Sequence, residues 1–335
     1  MGESPSENTG ERPPQAESAR VFRDPDNDRK SRIVGSILGL ALGDAFGAPY
    51  EGGLAERALW TLIGSHRGRR RWTDDTQMTI DTAESLIKHG DVDQDDLARR
   101  FAQSYRWSRG YGPGAAKILK RIGRGQPWQT ASRSVYRDGS YGNGGAMRVP
   151  VVGLFFADEG EARIVDAARA SAAVTHAHPL GQEGAALVAL ATALAASDAP
   201  TEKVIETLFR RAQASEYRDR LRMAREWLYS EHQARPLEVA SKLGNGIAAW
   251  ESCVTAVYLA LRFETQPFDE LLDFAIRVGG DVDTIAAMAT AIWGAAQGCA
   301  ALPEERLRCL EQRERLEALA EALAHTITER SHLGE

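Results

Sequence analysis

The sequence predicts an all-α protein: one compact, orthogonal helical domain over residues 31–330 behind a disordered tail at 1–30. Three observations carry that reading. From residue 31 onward, apolar and alanine residues recur at helical spacing in one segment after another. No alternating strand ladder and no internal repeat of fixed period interrupts them. No Pro/Ser-rich linker divides the stretch, so the 43% hydrophobic content of the 335 residues is available to one large core.

The first thirty residues, MGESPSENTGERPPQAESARVFRDPDNDRK, are rich in Pro, Ser, Glu and Asn, with Val21 and Phe22 as the one apolar pair. That is the composition of a disordered segment, and it lacks the apolar run of a signal peptide. MGESPS matches the myristoylation pattern, which is permissive enough to match by chance. The next segment, RIVGSILGLALGDAFGAP, falls short of the roughly 20 residues of a membrane span, and Asp44 interrupts it, so it reads as a buried helix. Gly35, Gly39, Gly43 and Gly47 fall four apart and make one smooth face that another helix can approach closely.

TIDTAESLIKHG ends at a glycine, as helices do, and DQDDLARRFAQSYRWS opens on acids that suit a helix N-terminus. GAAKILKRIG, EARIVDAARASAAVTH, GQEGAALVALATALAAS, KVIETLFRRA, YRDRLRMAREWLYSEH, ESCVTAVYLALRF, FDELLDFAIRVG and DTIAAMATAIWGAAQG follow with the same periodicity. The C-terminal PEERLRCLEQRERLEALAEALAHTITER is amphipathic and is expected to pack on its own core rather than on a partner, so a monomer is expected.

A net charge of −6 gives no sign of a nucleic-acid-binding surface. Cys253, Cys299 and Cys309 have no CxxC spacing, which fits a reduced, cytoplasmic protein better than a disulfide scaffold or a zinc site.

Two acidic sets stand out. Thr73, Asp74, Asp75 and Thr76 precede one helix; Asp281, Asp283 and Thr284 follow a Gly-Gly pair and precede another. Asp and Thr are common N-caps worth about 1 kcal/mol each, so capping explains either set alone. It does not explain two sets that each hold more acids than one cap needs. Buried unpaired carboxylates are costly, and a hard divalent cation removes the cost. Glu51, just past the first helix, can join them, and Asp44 lies in the same segment. The five carboxylates of Glu51, Asp74, Asp75, Asp281 and Asp283 exceed one divalent ion by about three charges and two by about one, which favours a binuclear site.

The loop RDGSYGNGGAMR places Gly139, Gly142, Gly144 and Gly145 around Ser140, Tyr141 and Asn143. Its backbone N–H groups can face an anion, although an ordinary turn has the same composition and the loop is neither a P-loop nor a dinucleotide fingerprint. In THAHP, His178 reads as a cap or packed side chain, and His176 as a residue that can face a cleft.

Taken together, GDAFGAPYE, WTDDTQM, SYGNGGAMR, THAHP and GGDVDTIAAMATAIWGA resemble, in order, the motifs of the ADP-ribosylglycohydrolase family. The resemblance covers residues 33–298. It implies two Mg²⁺ or Mn²⁺ ions held by Thr73, Asp74, Asp75, Asp281, Asp283 and Thr284, with Glu51 reaching the metals as a movable gate. It implies that residues 140–145 (Ser140, Tyr141, Gly142, Asn143, Gly144, Gly145) hold ADP-ribose, that Tyr141 stacks near the adenosine and that His176 contacts the substrate. GSYGNGGAMRV is most similar to the branch that cleaves serine-linked ADP-ribose, poly-ADP-ribose and O-acetyl-ADP-ribose. Val135 stands where that branch has an aromatic residue, with Tyr136 beside it as a substitute.

The implied reaction is hydrolysis at the anomeric carbon of ADP-ribose, through an oxocarbenium-like transition state. Asp74 or Asp75 would take the proton of the attacking water, and Glu51 would orient it or assist the leaving group. The expected partner is an ADP-ribosylated protein or a small ADP-ribose conjugate. An arginine-linked substrate and an antidote that binds an ADP-ribosyltransferase toxin are the alternatives.

Overall fold

The structure is a computed structural model that describes residues 25–52, 60, 64–66 and 68–333. Its described α-helices are α1 (Pro25–Gly47), α2 (Asp74–His89), α3 (Gln94–Ser104), α4 (Pro113–Ile122), α5 (Trp128–Ala131), α6 (Pro150–Phe155), α7 (Glu161–Ala173), α8 (Pro179–Ala196), α9 (Thr201–Arg211), α10 (Ser215–Tyr229), α11 (Pro236–Lys242), α12 (Ala249–Arg262), α13 (Phe268–Val278), α14 (Val282–Gln297), α15 (Glu304–Arg308) and α16 (Arg313–Leu333). The all-α expectation holds. The strands among the described residues are β1 (Ser65–His66) and β2 (Arg69–Arg70), which form an antiparallel pair with Ser65 opposite Arg70.

The tail boundary differs from the expected one. Residues 25–30, read from the sequence as the end of the tail, are the first turns of α1. Their charges find partners remote in sequence, which a local reading cannot see: Arg29 donates to Asp158 at 2.7 Å. The rest of the expected tail, with the myristoylation pattern and the Val21–Phe22 pair, lies outside the described residues.

The centre of the fold is the crossing of α1 and α14, the most extensive helix pair among the described residues. The glycine face of α1 makes it possible. A methyl group on Gly35 would sit 2.5 Å from Gly294 O, and one on Gly39 would sit 2.5 Å from Thr290 O. Thr290 donates its hydroxyl to Gly39 O across the crossing at 2.7 Å and to Ala286 O at 2.6 Å. At the end of the stripe, Gly47 rests on the backbone of Asp283. The spacing of four glycines thus brings the C-terminus of α1 to the N-terminus of α14. α1 and α8 are long and apolar enough to cross a membrane, but 83% and 72% of their apolar windows are buried inside the protein, as core helices are.

Candidate active site

The N-terminus of α2 is held by a residue from another helix. Asp44, on α1 and fully buried, accepts the Thr73 N–H at 2.9 Å, the Thr76 N–H at 3.1 Å and the Thr76 hydroxyl at 2.6 Å. Thr73 is the N-cap; its Oγ1 accepts the Asp75 N–H at 3.3 Å. With these orphan donors met, the Asp75 side chain is free of capping duty, and the Asp74 carboxylate meets its own backbone N–H. Burial pushes the Asp44 carboxyl up to about 6, against the opposing effect of its hydrogen bonds.

The two acidic sets meet. Carboxylate oxygens of Glu51, Asp281 and Asp283 lie within 4.8 Å of one another. Thr284, on the first turn of α14, places its hydroxyl 3.5 Å from Asp75 Oδ1, joining residues 209 positions apart. Asp283 accepts the Thr284 N–H at 2.8 Å. Asp75, Asp281, Asp283 and Thr284 are all buried, and Asp75 Oδ2 has no hydrogen-bond partner among the described residues. Burial, and then the neighbouring carboxylates, hold Asp74, Asp75 and Asp283 well above the ordinary carboxylate range. Asp281 is raised less, since Asn143 donates to it.

This donor set fits a hard divalent cation. It is all oxygen, it concentrates negative charge away from water, and it contains an orphaned buried oxygen. Glu51, Asp75, Asp281, Asp283 and Thr284 would hold such an ion, with Asp74 beside them on the same cavity wall.

The cavity over the acids encloses about 190 Å³. One wall is acidic: Glu51, Asp74, Asp75, Asp281, Asp283 and Thr284. The lining also includes Ser140, Gly142, Asn143 and Gly144 of the glycine-rich loop with His176, and Gly110, Gly112, Gly114 and Tyr136. Most of the residues marked in the sequence therefore share one cavity, and three do not line it. Thr73 caps α2, Gly145 packs on Ala172, and Tyr141 leans on Trp250, tilted at a centroid distance of 5.1 Å, and meets His178 edge-on at 5.7 Å. The aromatic residue that lines the cavity is Tyr136, the substitute suggested by the sequence.

The glycine-rich loop is fastened from below. Ser140 Oγ accepts the Gly142 N–H at 3.2 Å. The His176 ring lies under Gly144, where a Cβ would come within 2.6 Å of its Cε1. His176 Nδ1 contacts the Thr175 hydroxyl at 2.8 Å, and burial with the nearby Arg148 guanidinium lowers its pKa to about 3, so the ring is neutral. Arg148 is itself buried and donates to Gly144 O at 2.6 Å and to Ser171 O at 2.7 Å. His178 caps α8, its Nδ1 accepting the Leu180 N–H at 3.1 Å, as its place before the helix suggested.

Three supports escaped the sequence reading. Asp44 is one; the signal was a lone acid in an otherwise apolar helix. The second is a latch ahead of α2: the Arg109 guanidinium stacks over Trp72 at 3.5 Å, donates to Trp72 O at 2.6 Å, and pairs with Glu311 at 2.7 Å. Its partners are too far apart in sequence to leave a local signal. The third is the segment GNGIA at 244–248, whose turn-like composition was visible but whose destination was not.

The family profile described as ADP-ribosylglycohydrolase matches residues 25–332. Among curated proteins, ADP-ribosylhydrolase ARH3 of Mus musculus is 36% identical, over 90% of this chain and 93% of that protein. ADP-ribosylhydrolase ARH3 of Homo sapiens is 35% identical, over 90% and 94%. A solved structure, an ADP-ribosylglycohydrolase-related protein complex, superposes with a TM-score of 0.66 at 26% identity, covering 90% of this chain and 99% of that one.

Proposed function

The chain belongs to the ADP-ribosylglycohydrolase family and is a glycosyl hydrolase acting on ADP-ribose, and from that premise we propose that it releases ADP-ribose from O-linked conjugates in a reaction that needs two divalent cations, Mg²⁺ or Mn²⁺. The observation that carries the cation requirement is the meeting of Asp75, whose Oδ2 is without a partner among the described residues, and the Glu51–Asp281–Asp283 cluster in one cavity that the glycine-rich loop also lines. The loop string GSYGNGGAMRV, most similar to the O-linkage branch, supports the choice of conjugate.

Divalent cations on the acidic wall would supply Lewis acidity and lower the pKa of water there. The protein does the rest with its own groups. The loop at 140–145 meets the diphosphate with the N–H groups left after Gly142 bonds Ser140 Oγ and Asn143 bonds Ile247 O, and His176, uncharged, keeps Gly144 in place. Tyr136, half-exposed at the cavity, offers a face to the adenosine part. Asp74 is the proton acceptor: it lines the cavity beside the residues that would hold the cations. Asp75, tied to Thr284, is a cation holder. Glu51, on the extended backbone after the first helix, stands where it can meet the leaving group.

One panel tests the reading: purified protein incubated with Mg²⁺ and, in parallel, serine-, acetyl- and arginine-linked ADP-ribose, then repeated with EDTA. Release from the serine and acetyl conjugates that EDTA stops is the expected result. Release that ignores EDTA defeats the cation requirement, and release from the arginine conjugate alone defeats the O-linkage.

A further inference from the structure

The segment at 244–249 runs between the two halves of the cavity and is hydrogen-bonded to both. Toward the glycine-rich loop, Ile247 O accepts the Asn143 N–H at 3.0 Å and Ala249 donates its N–H to Tyr141 O at 3.0 Å, an antiparallel bridge that pairs Gly142 with Ala248. Toward the acids, Asn245 O accepts the Asp281 N–H at 2.9 Å, and Asn245 Nδ2 donates to Val278 O at 3.0 Å. The turn from α13 to α14 is moulded on this asparagine. Gly279 and Gly280 both adopt left-handed backbone, with φ of 72° and 78°, and a Cβ on Gly280 would run into Asn245. Beside Asn245, at its N-terminal end, the segment is anchored by the Thr255 hydroxyl, which donates to Gly244 O at 2.7 Å.

We propose that Asn245 is a positioning residue: it fixes where Asp281 stands relative to the glycine-rich loop, so that cation binding at the acids and anion binding at the loop are coupled through residues 244–249. Asp281 is gripped from two directions. Its backbone hangs on Asn245, and its carboxylate is held from the loop by Asn143, whose own N–H is bonded to Ile247. The segment cannot shift without moving both walls. The carboxylate is thus presented to a cation only when the loop is in register, and by linkage each ligand then favours the other equally. The inference rests on the acids being the cation site proposed above.

The test uses the full chain, stripped with chelator and titrated with Mn²⁺ by calorimetry, with and without saturating ADP-ribose. ADP-ribose is also titrated without cation. In the wild type, Mn²⁺ binds more tightly when ADP-ribose is present. Asn245→Ala keeps the backbone carbonyl but releases Val278 O; it should bind Mn²⁺ about tenfold or more weakly, the loss expected when the support of a metal ligand is removed. Its response to ADP-ribose should shrink, and ADP-ribose binding without cation should stay within twofold of the wild type. Asn245→Asp keeps the side-chain shape and adds a negative charge, which by electrostatics alone would tighten Mn²⁺. Weaker binding in this variant supports the positioning role, and this variant decides the matter if Asn245→Ala does not fold. Unchanged Mn²⁺ affinity in Asn245→Ala, or tighter binding in Asn245→Asp, overturns the proposal. A wild type that binds no Mn²⁺ overturns the cation site itself, an outcome distinct from a wild type that binds and variants that match it.

Discussion

Thr76, in the first turn of α2, gives both its backbone N–H and its hydroxyl to the carboxylate of Asp44 on α1, at 3.1 and 2.6 Å. The helix that carries the first pair of acids is thus capped by the helix that crosses the second. Asp44→Ala would leave two backbone N–H groups and a hydroxyl buried without an acceptor, each costing about 1–3 kcal/mol. The variant should lose at least about 2 kcal/mol in urea unfolding, and a loss under about 0.5 kcal/mol would contradict the capping role.

Asp75→Asn should separate stability from function. Removing one buried negative charge should raise the melting temperature of the chelator-treated protein, because a cost with no partner disappears. The same change should abolish turnover and shrink the melting-temperature gain on adding Mg²⁺. Full activity in this variant would sink the assignment of Asp75.

Gly39→Ala places a methyl 2.5 Å from Thr290 O at the α1–α14 crossing. Neither partner has room to retreat, so the helices must part, at a cost of about 1–3 kcal/mol. Denaturant midpoints would show it, and an unchanged midpoint would mean the crossing is looser than described.

The two loop tyrosines should behave differently. Tyr136 lines the cavity, whereas Tyr141 leans on Trp250 and His178. Tyr136→Ala should raise KM severalfold and leave kcat within about twofold, because binding shared by ground and transition states is what it removes. Tyr141→Ala should change KM less. The reverse order would restore the adenosine contact to Tyr141.

A pH effect follows from Asp81, a buried residue of α2 outside the cation cluster. Burial raises its pKa to about 6, although Ser104 and Gln77 both donate to it. The folded state therefore holds this proton more tightly than the unfolded chain does. Its contribution is most favourable below about 4, falls as pH rises to about 6, and is level above that. Asp81→Asn removes the titration. Relative to wild type, the variant should gain stability between pH 4 and pH 7 in urea unfolding of chelator-treated protein. A difference that does not change with pH would contradict the shift.

The sequence was legible where chemistry is local. Helical periodicity gave the fold class, and the glycine stripe foretold a close helix crossing without naming α14 as the partner. The acidic sets were visible because each holds more carboxylates than one cap uses, and the cavity gathers them. What stayed hidden depends on distant pairs. Asp44 as the support of Thr73 and Thr76, Arg109 on Trp72 and Glu311, and Asn245 under Asp281 are all made by folding, and no local spacing records them. The leaning of Tyr141 on Trp250 and His178 was hidden for the related reason that membership of a loop does not say which way a ring leans.

The central claim is that the two acidic sets form one cation site, and calorimetric titration of Mn²⁺ into chelator-stripped wild type and Asp283→Asn tests it most directly. Saturable binding of about two ions per chain in the wild type, and loss of at least one of them in the variant, is the predicted result. A wild type that takes up no Mn²⁺, or a variant that binds as the wild type does, would contradict it.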